Sequence, residues 1–397
     1  MPTFEIASAD SVGKGFAAGS TGFVSIGGHL FEGFSSEARS QTMARSAYTL
    51  AKLLVRAVAN ATSASSTVTS RVASGAGAQS VSIGATLTGL FQDTTNSDSI
   101  ASGSVFNNRV VTGAGGTLTL SIIAYTLAHA TANDFVLVGS YPGEQLFPVA
   151  SAAYAAIGGR SDYTTPEALA QFTFRAVATL SNVRMYVEFN TCVDNETITL
   201  RKNGANGNQI GSILAGTTGS IEDTTNSDSV AVGDEICYEY SQESGAGSLT
   251  WTLTNMKCIS AHRPRVSDAH AAAVAADQYF SLDGQILDNT TEANVQLEAR
   301  SSFNAANLLA NVQTHGASSG VNLFFRVGGV NSVLTVTIPD STTGVVEDTT
   351  NSVSIVSGDL YNWFMDHGGG AGGIRFSLLA FGGAPPASAR SRVVMVG

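Results

Sequence analysis

Gln92-Asp93-Thr94-Thr95-Asn96-Ser97 returns as Glu222-Asp223-Thr224-Thr225-Asn226-Ser227 and again as Glu347-Asp348-Thr349-Thr350-Asn351-Ser352. Each copy follows a glycine (Gly89, Gly219, Gly344) and runs through a Ser-x-Ser-apolar segment into another (Gly103, Gly233, Gly358). The three aspartates are spaced by 130 and then 125 residues, so one domain is written three times in tandem. The same register carries Arg71, Arg201 and Arg326, and before them Arg45, Arg175 and Arg300. Upstream it carries a pattern Glu-Ala-x-x-Gln-x-x-x-Arg beginning at Glu37, Glu167 and Glu292. No gap interrupts the register between the glutamate and the aspartate, so length variation falls in the connections.

The expected division is residues 1–130, 131–262 and 263–383, each a size that closes one core, with 384–397 as a linker and terminal strand. Repeat two reads most clearly. Thr197 to Arg201 is a strand entering the turn Lys202-Asn203-Gly204, and Asn-Gly is a strong hairpin signal. A second pair, Asn206-Gly207, precedes a strand from Ile210 to Leu214. After the triplicated segment, read as a turn, come short strands at Ser229 to Val232 and Ile236 to Tyr240. The last strand alternates, with Leu249, Trp251 and Leu253 facing in and Thr250, Thr252 and Thr254 facing out. Gln41 to Ala61, through its Ala, Leu, Lys, Arg and Met residues, reads locally as helix. Its counterpart from Arg175 to Phe189 has strand alternation, and copies of one repeat share a fold, so the register assigns both as strand. The expectation is an all-β chain of three antiparallel β-sandwiches. Asp268 to Gln278 is the one short helix expected, and His262-Arg263-Pro264-Arg265 reads as a linker.

Charged residues make up 13% of the chain and the net charge is −11, so the basic stripe of a nucleic-acid binder is missing. Apolar runs are too short for a membrane-spanning helix, and Met1 to Ile6 lacks the basic start and apolar core of a secretory signal. Cys192, Cys237 and Cys258 all fall in repeat two, which suits buried free thiols better than a repeated disulfide.

The run Leu200-Arg-Lys-Asn-Gly-Ala-Asn-Gly-Asn208, with Thr179 to Val183, Glu222 to Ser227 and Gly233-Asp234, resembles a jelly-roll-type repeat of bacteriophage structural proteins. Repeat one departs from it at Arg71-Val-Ala-Ser-Gly and has Ser104 where the others have Asp234 and Asp359. The resemblance implies a jelly-roll-like fold and a building or attachment module of the virion, made in the host cytoplasm.

Candidate sites follow the repeat. Asp93, Asn96 and Asp98, with Asp223, Asn226 and Asp228, offer hard oxygens at the close spacing calcium needs. The competing reading is a segment stapled by its own side chains. Val353 replaces that second aspartate in repeat three. The six arginines are expected to pair with carboxylates of their own repeat, the upstream glutamates being at hand. The histidines (His29, His129, His262, His270, His315, His367) share no repeat position and no serine is framed as a nucleophile, so no catalytic residue and no cofactor is assigned. Trp251, Trp363, Tyr238 and Tyr240 are candidates for stacking on sugars.

The reading is therefore a non-enzymatic virion structural protein, a head decoration or a tail or fibre component. Its expected partners are copies of itself and other virion proteins, without nucleic acid or membrane insertion. The alternative is an adhesin for host-surface glycan, which would concentrate aromatic residues in the loops of one repeat, whereas here they fall mostly on expected strands. Val393, Val394, Met395 and Val396 resemble the strand Phe135 to Gly139 and are expected to add to a sheet edge in assembly.

Overall fold

The computed structural model describes residues 3–30, 33, 35–131, 133–140, 152–158, 166–242, 247–261, 263–268, 273–282, 284–285 and 289–384. The first repeat contributes β1 (Thr3–Phe16), β2 (Thr21–Val24), β3 (Gly28–His29), β4 (Thr42–Met43), β5 (Tyr48–Asn60), β6 (Ser66–Val72), β7 (Gly75–Ile83), β8 (Gly89–Ile100), β9 (Val105–Val111) and β10 (Leu118–Ala128). The second contributes β11 (Asp134–Ser140), β12 (Ala153–Ala155), β13 (Phe172–Thr173), β14 (Ala178–Asn190), β15 (Glu196–Lys202), β16 (Ala205–Ile213), β17 (Gly219–Val230), β18 (Glu235–Gln242) and β19 (Leu249–Ser260). The third contributes β20 (Arg263–Asp268), β21 (Gln278–Phe280), β22 (Gly284–Gln285), β23 (Leu297–Glu298), β24 (Phe303–His315), β25 (Val321–Val327), β26 (Val330–Ile338), β27 (Gly344–Ile355), β28 (Leu360–Asp366) and β29 (Ile374–Ala384).

Each repeat sets two antiparallel sheets of four main strands face to face. Strands β4, β13 and β23 add to the outer sheets, and β22 pairs in parallel with β1 and β20, joining the inner sheets of repeats one and three into one ten-stranded sheet. The inner sheets run β8-β5-β10-β1, β17-β14-β19-β11 and β27-β24-β29-β20; the outer ones run β7-β6-β9-β2, β16-β15-β18-β12 and β26-β25-β28-β21. Counted along the eight main strands of a repeat, the first, eighth, third and sixth share one sheet, and the second, seventh, fourth and fifth share the other. That is the strand order of an eight-stranded jelly roll. The alanine- and leucine-rich stretch that reads locally as helix holds the strand β5, because it must fill the place that β14 and β24 fill.

The triplicated segment is not a turn between strands. It is a bulge inside β8, β17 and β27. On β5, Ala51 faces Ser97 and Leu53 faces Asp93, so Thr94, Thr95 and Asn96 stand against Lys52 alone. The same step occurs at Asn182 on β14 and Asn307 on β24. These three opposing residues take left-handed backbone, with φ of 57°, 57° and 56°. Asn206-Gly207 likewise lies within β16, and the hairpin turns at Asn203-Gly204. Arg263 to Arg265 belong to β20 instead of a linker. The helix expected over Asp268 to Gln278 is absent from its described part: Asp268 ends β20, Val274 bridges Ile374, and Gln278 begins β21. Residues 269–272 of that segment, and the tail from 385 that carries Val393 to Val396, lie outside the described residues.

The three sandwiches close into a ring, and burial shows its direction. The core of repeat one takes in Leu253 of β19, that of repeat two takes in Leu378 of β29, and that of repeat three takes in Ile122 of β10. These three residues occupy one repeat position, so the contact is head-to-tail and comes full circle. The alternation on β19 holds for Leu249 and Trp251, both in the core of repeat two. Thr250, Thr252 and Thr254, expected outside, are also buried: the register of β19 shifts between Trp251 and Leu253, so Leu253 turns to repeat one and Thr254, opposite Met185, turns to the core of repeat two. Thr252 Oγ1 donates to the carbonyl of Arg39 in repeat one at 2.9 Å. At the axis, a Cβ on Gly27 would stand 3.0 Å from Val138 Cβ, and one on Gly158 would stand 2.7 Å from Val266 Cβ. Glycine at these places lets adjoining repeats approach. β10 ends at Ala128 and β11 begins at Asp134, while β19 ends at Ser260 and β20 begins at Arg263, so the links around the ring are short.

Candidate functional site

The triplicated polar residues fall into three sets, each with a different structural task. The first set is the bulge. Asp93 Oδ1 accepts the N–H groups of Thr95 and Asn96, both at 3.1 Å, and Oδ2 accepts Ser80 N–H of β7 at 3.0 Å. Asn96 Nδ2 donates to the same carboxylate at 2.9 Å. Asp223 repeats this with Thr225, Asn226 and Ile210, and Asp348 with Thr350, Asn351 and Thr335. Burial works to raise the Asp93, Asp223 and Asp348 carboxyls, but the hydrogen bonds outweigh it and hold all three below the usual carboxylate range. A bulge leaves N–H groups without ladder partners, and this carboxylate collects them.

The six proposed calcium ligands do not converge. Asn96 and Asn226 turn their Nδ2, a donor, toward Asp93 and Asp223. Asp98 accepts Ser70 Oγ–H at 2.6 Å and Ala78 N–H at 2.5 Å, and Asp228 accepts the N–H groups of Asn208 and Gln209 at 2.7 and 3.2 Å. Among the described residues no three His, Cys, Asp or Glu side chains gather as a metal-holding group. The substitution at Val353 has a partner substitution. In repeats one and two a buried glutamine, Gln79 or Gln209, donates to Asp98 or Asp228 at 3.3 Å and accepts the N–H of Leu53 or Val183 at 3.0 Å. In repeat three the same two positions hold Leu334, buried in the apolar core, and Val353, partly buried and packed against it.

The second set is Arg71, Arg201 and Arg326. Each grips with two nitrogens the glutamate expected of its own repeat: Glu37 at 2.9 and 2.9 Å, Glu167 at 3.1 and 3.1 Å, Glu292 at 2.7 and 3.4 Å. Each glutamate opens a one-turn 3-10 segment (Glu37–Ser40, Glu167–Leu169, Glu292–Asn294). Each arginine also donates to a hairpin carbonyl, of Ser74, Gly204 or Gly329, so the pair staples the hairpin to that segment.

The third set departs from expectation in part. Arg45 and Arg175 reach a carboxylate of the next repeat instead of their own, while Arg300 pairs with its own Glu298 at 2.6 Å and also reaches the next repeat. Arg45 Nη1 lies 3.2 Å from Glu222 Oε2, Arg175 pairs with Glu347, and Arg300 Nη1 donates to Gln92 Oε1 at 3.0 Å. Their acceptors are the residues immediately before the three bulge aspartates, so each bulge is also a seam. A second ring of bonds runs beside it. Arg184 Nη1 donates to the Gln41 carbonyl at 2.7 Å, Asn311 Nδ2 to that of Ala168 at 2.8 Å, and Arg56 Nε to that of Gln296 at 3.1 Å. Burial pulls the Arg184 guanidinium down to about 10, against the opposing pull of Glu222, so it stays charged at neutral pH.

Two seams carry an added ion pair: Arg39 and Glu188, partly exposed, join repeats one and two, and a buried pair joins repeats one and three. Arg265 Nη2 donates to Glu5 Oε2 at 2.8 Å with both side chains buried, and Ser301 N–H donates to Oε1 at 3.1 Å. Tyr361 Oη–H and Arg300 N–H also donate to this carboxylate. Beside it, where the ends of β1, β11 and β29 meet, opens a cavity of about 250 Å3 whose apolar wall has one phenylalanine from each repeat: Phe4, Phe135 and Phe303.

The cysteines are free and buried, as their placement in one repeat suggests. Trp251, Trp363, Tyr238 and Tyr240 are all buried core residues and present no stacking surface. Sequence reasoning missed a different aromatic set, Tyr279, Phe324 and Phe364, on the open face of the outer sheet of repeat three. Alternation with the buried Phe325 and Trp363 was the available signal. No protein-family model and no curated protein matches this chain.

Proposed function

We propose that the chain is a non-enzymatic structural component of a bacteriophage particle, decorating the head or forming part of the tail or fibre. One observation carries the reading. The polar residues written three times are committed to construction: the aspartates complete the bulges, one arginine set staples the hairpins, and the other closes the ring. A triplicated catalytic site would show reactive groups facing a shared cleft, and none of these residues does. A closed ring of jelly rolls is a rigid body with distinct sides, suited to packing among copies of itself and other virion proteins. The net charge of −11 is unsuited to a nucleic-acid partner. Immunogold labelling of purified particles, followed by fitting the ring into particle density, tests the proposal. Label at a fixed, regularly repeated position is expected. Absence of the protein from purified, infectious particles would overturn it.

A further inference from the structure

The outer sheets of the three repeats are alike in backbone and unlike on their open faces. In repeat three, Tyr279 on β21, Phe364 on β28 and Phe324 on β25 stand directly opposite one another across three adjacent strands. Their rings stack, with centroids 4.9 Å apart for Tyr279 and Phe364 and 6.2 Å for Phe364 and Phe324. All three are partly exposed. The matching positions hold Tyr154, Glu239 and Thr199 in repeat two, and Phe23, Arg109 and Thr69 in repeat one.

The first ring has a structural explanation. It lies beneath the hairpin-stapling arginine, with Arg71 5.7 Å from the Phe23 centroid and Arg326 5.7 Å from that of Tyr279. Phe364 lies nearer that guanidinium still, at 5.1 Å, and its counterpart Glu239 pairs with the stapling Arg201 at 2.9 Å, so only Phe324 has no part in the staple. The strip is flanked by groups that hydrogen-bond: Asn322 and Thr337, joined at 2.7 Å, on one side, and the Arg326–Glu292 pair on the other.

We propose that this strip is a docking face for a neutral glycan chain, whose sugar C–H faces pack on the rings while the flanking amide, hydroxyl and charged groups take its hydroxyls. Two arguments choose the occupant. Three partly covered rings present on the order of 200 Å2 of apolar surface, well short of the roughly 800 Å2 per partner of a stable protein interface. Single-stranded nucleic acid also stacks on rings, but needs a basic groove, and here the one arginine over the rings is neutralised by Glu292. The inference does not depend on where the protein sits in a particle, so it can fail while the structural reading stands.

Affinity electrophoresis of the full chain through gels containing dextran, galactomannan, arabinoxylan or deacylated bacterial O-polysaccharide tests it. The variant is F324T/F364E, which installs the residues repeat two already tolerates at these positions, and its melting curve establishes folding. Y154A serves as a control in repeat two. Retardation of the wild type in at least one gel is expected, weakened at least tenfold in F324T/F364E and unchanged in Y154A. Absence of retardation in all four gels, equal retardation of wild type and F324T/F364E, or a wild-type dimer that F324T/F364E dissociates would each overturn the proposal.

Discussion

At the scale of single residues, the bulge aspartates show how one carboxylate organises a local structure. Asp223 ionises more readily in the fold than in the open chain, where an aspartate titrates near about 3.9. Its contribution is therefore complete above that value and is lost as pH falls through the folded pKa. Asp223→Asn is expected to lower stability at pH 7 by about 1–3 kcal/mol, by leaving donors unpaired, and to make the acid limb of denaturation shallower. Urea titrations from pH 2 to 7 check both, and a parallel series with chelator should superimpose on the untreated one. The glutamine behind the bulge gives a sharper test. Gln209→Leu alone leaves Val183 N–H without its acceptor and is expected to cost about 1–3 kcal/mol. Gln209→Leu with Asp228→Val reproduces the pair found in repeat three and should recover much of that loss. A coupling near zero in the double-mutant cycle would contradict the exchange.

At the scale of elements, the left-handed residue opposite each bulge decides whether the third main strand can accommodate it. Asparagine holds this conformation at modest cost, and a β-branched residue does not. Asn182→Val should therefore destabilise by about 1–2 kcal/mol, with Asn182→Gly close to neutral, as read by denaturant midpoint. Lys52 occupies the same conformation in β5 and anchors its ammonium on the Arg300 carbonyl at 2.8 Å across the seam. The strand content was legible because the register of repeat two overrode the helix propensity of Gln41 to Ala61. The bulge was not legible. Asp-Thr-Thr-Asn-Ser has the composition of a turn, and only the pairing of Asp93 with Leu53 and Ser97 with Ala51 shows that the strand continues through it. In its described part, the short helix expected over Asp268 to Gln278 failed for a related reason. Its alanines favour helix in isolation, but Val274 is recruited to pair with Ile374.

At the scale of the molecule, the ring explains what sequence could not separate. Arg45 and Glu222 belong to different repeats, yet an arginine and a glutamate at these repeat positions look the same in sequence whether they pair within one domain or between neighbours. The burial of Thr252 on β19 was hidden likewise, since its partner, the Arg39 carbonyl, is supplied by another repeat. With all three cores sharing residues with a neighbour, calorimetry should show one transition rather than three. Glu5→Ala strands Arg265 in the interior and should cost about 3–5 kcal/mol; adding Arg265→Leu, the residue of Leu137 at the matching place, should restore much of it. The short links between repeats have a further consequence. Three separate jelly rolls in a ring would come apart on dilution, whereas tethered ones meet at a local concentration set by linker length, in the millimolar range, whatever the bulk concentration. Covalent tethering also frees each seam to change alone: a homotrimer must accept every substitution three times, but this chain could place a buried ion pair at Glu5 and Arg265 in a single seam and leave Ile6 and Leu137 apolar.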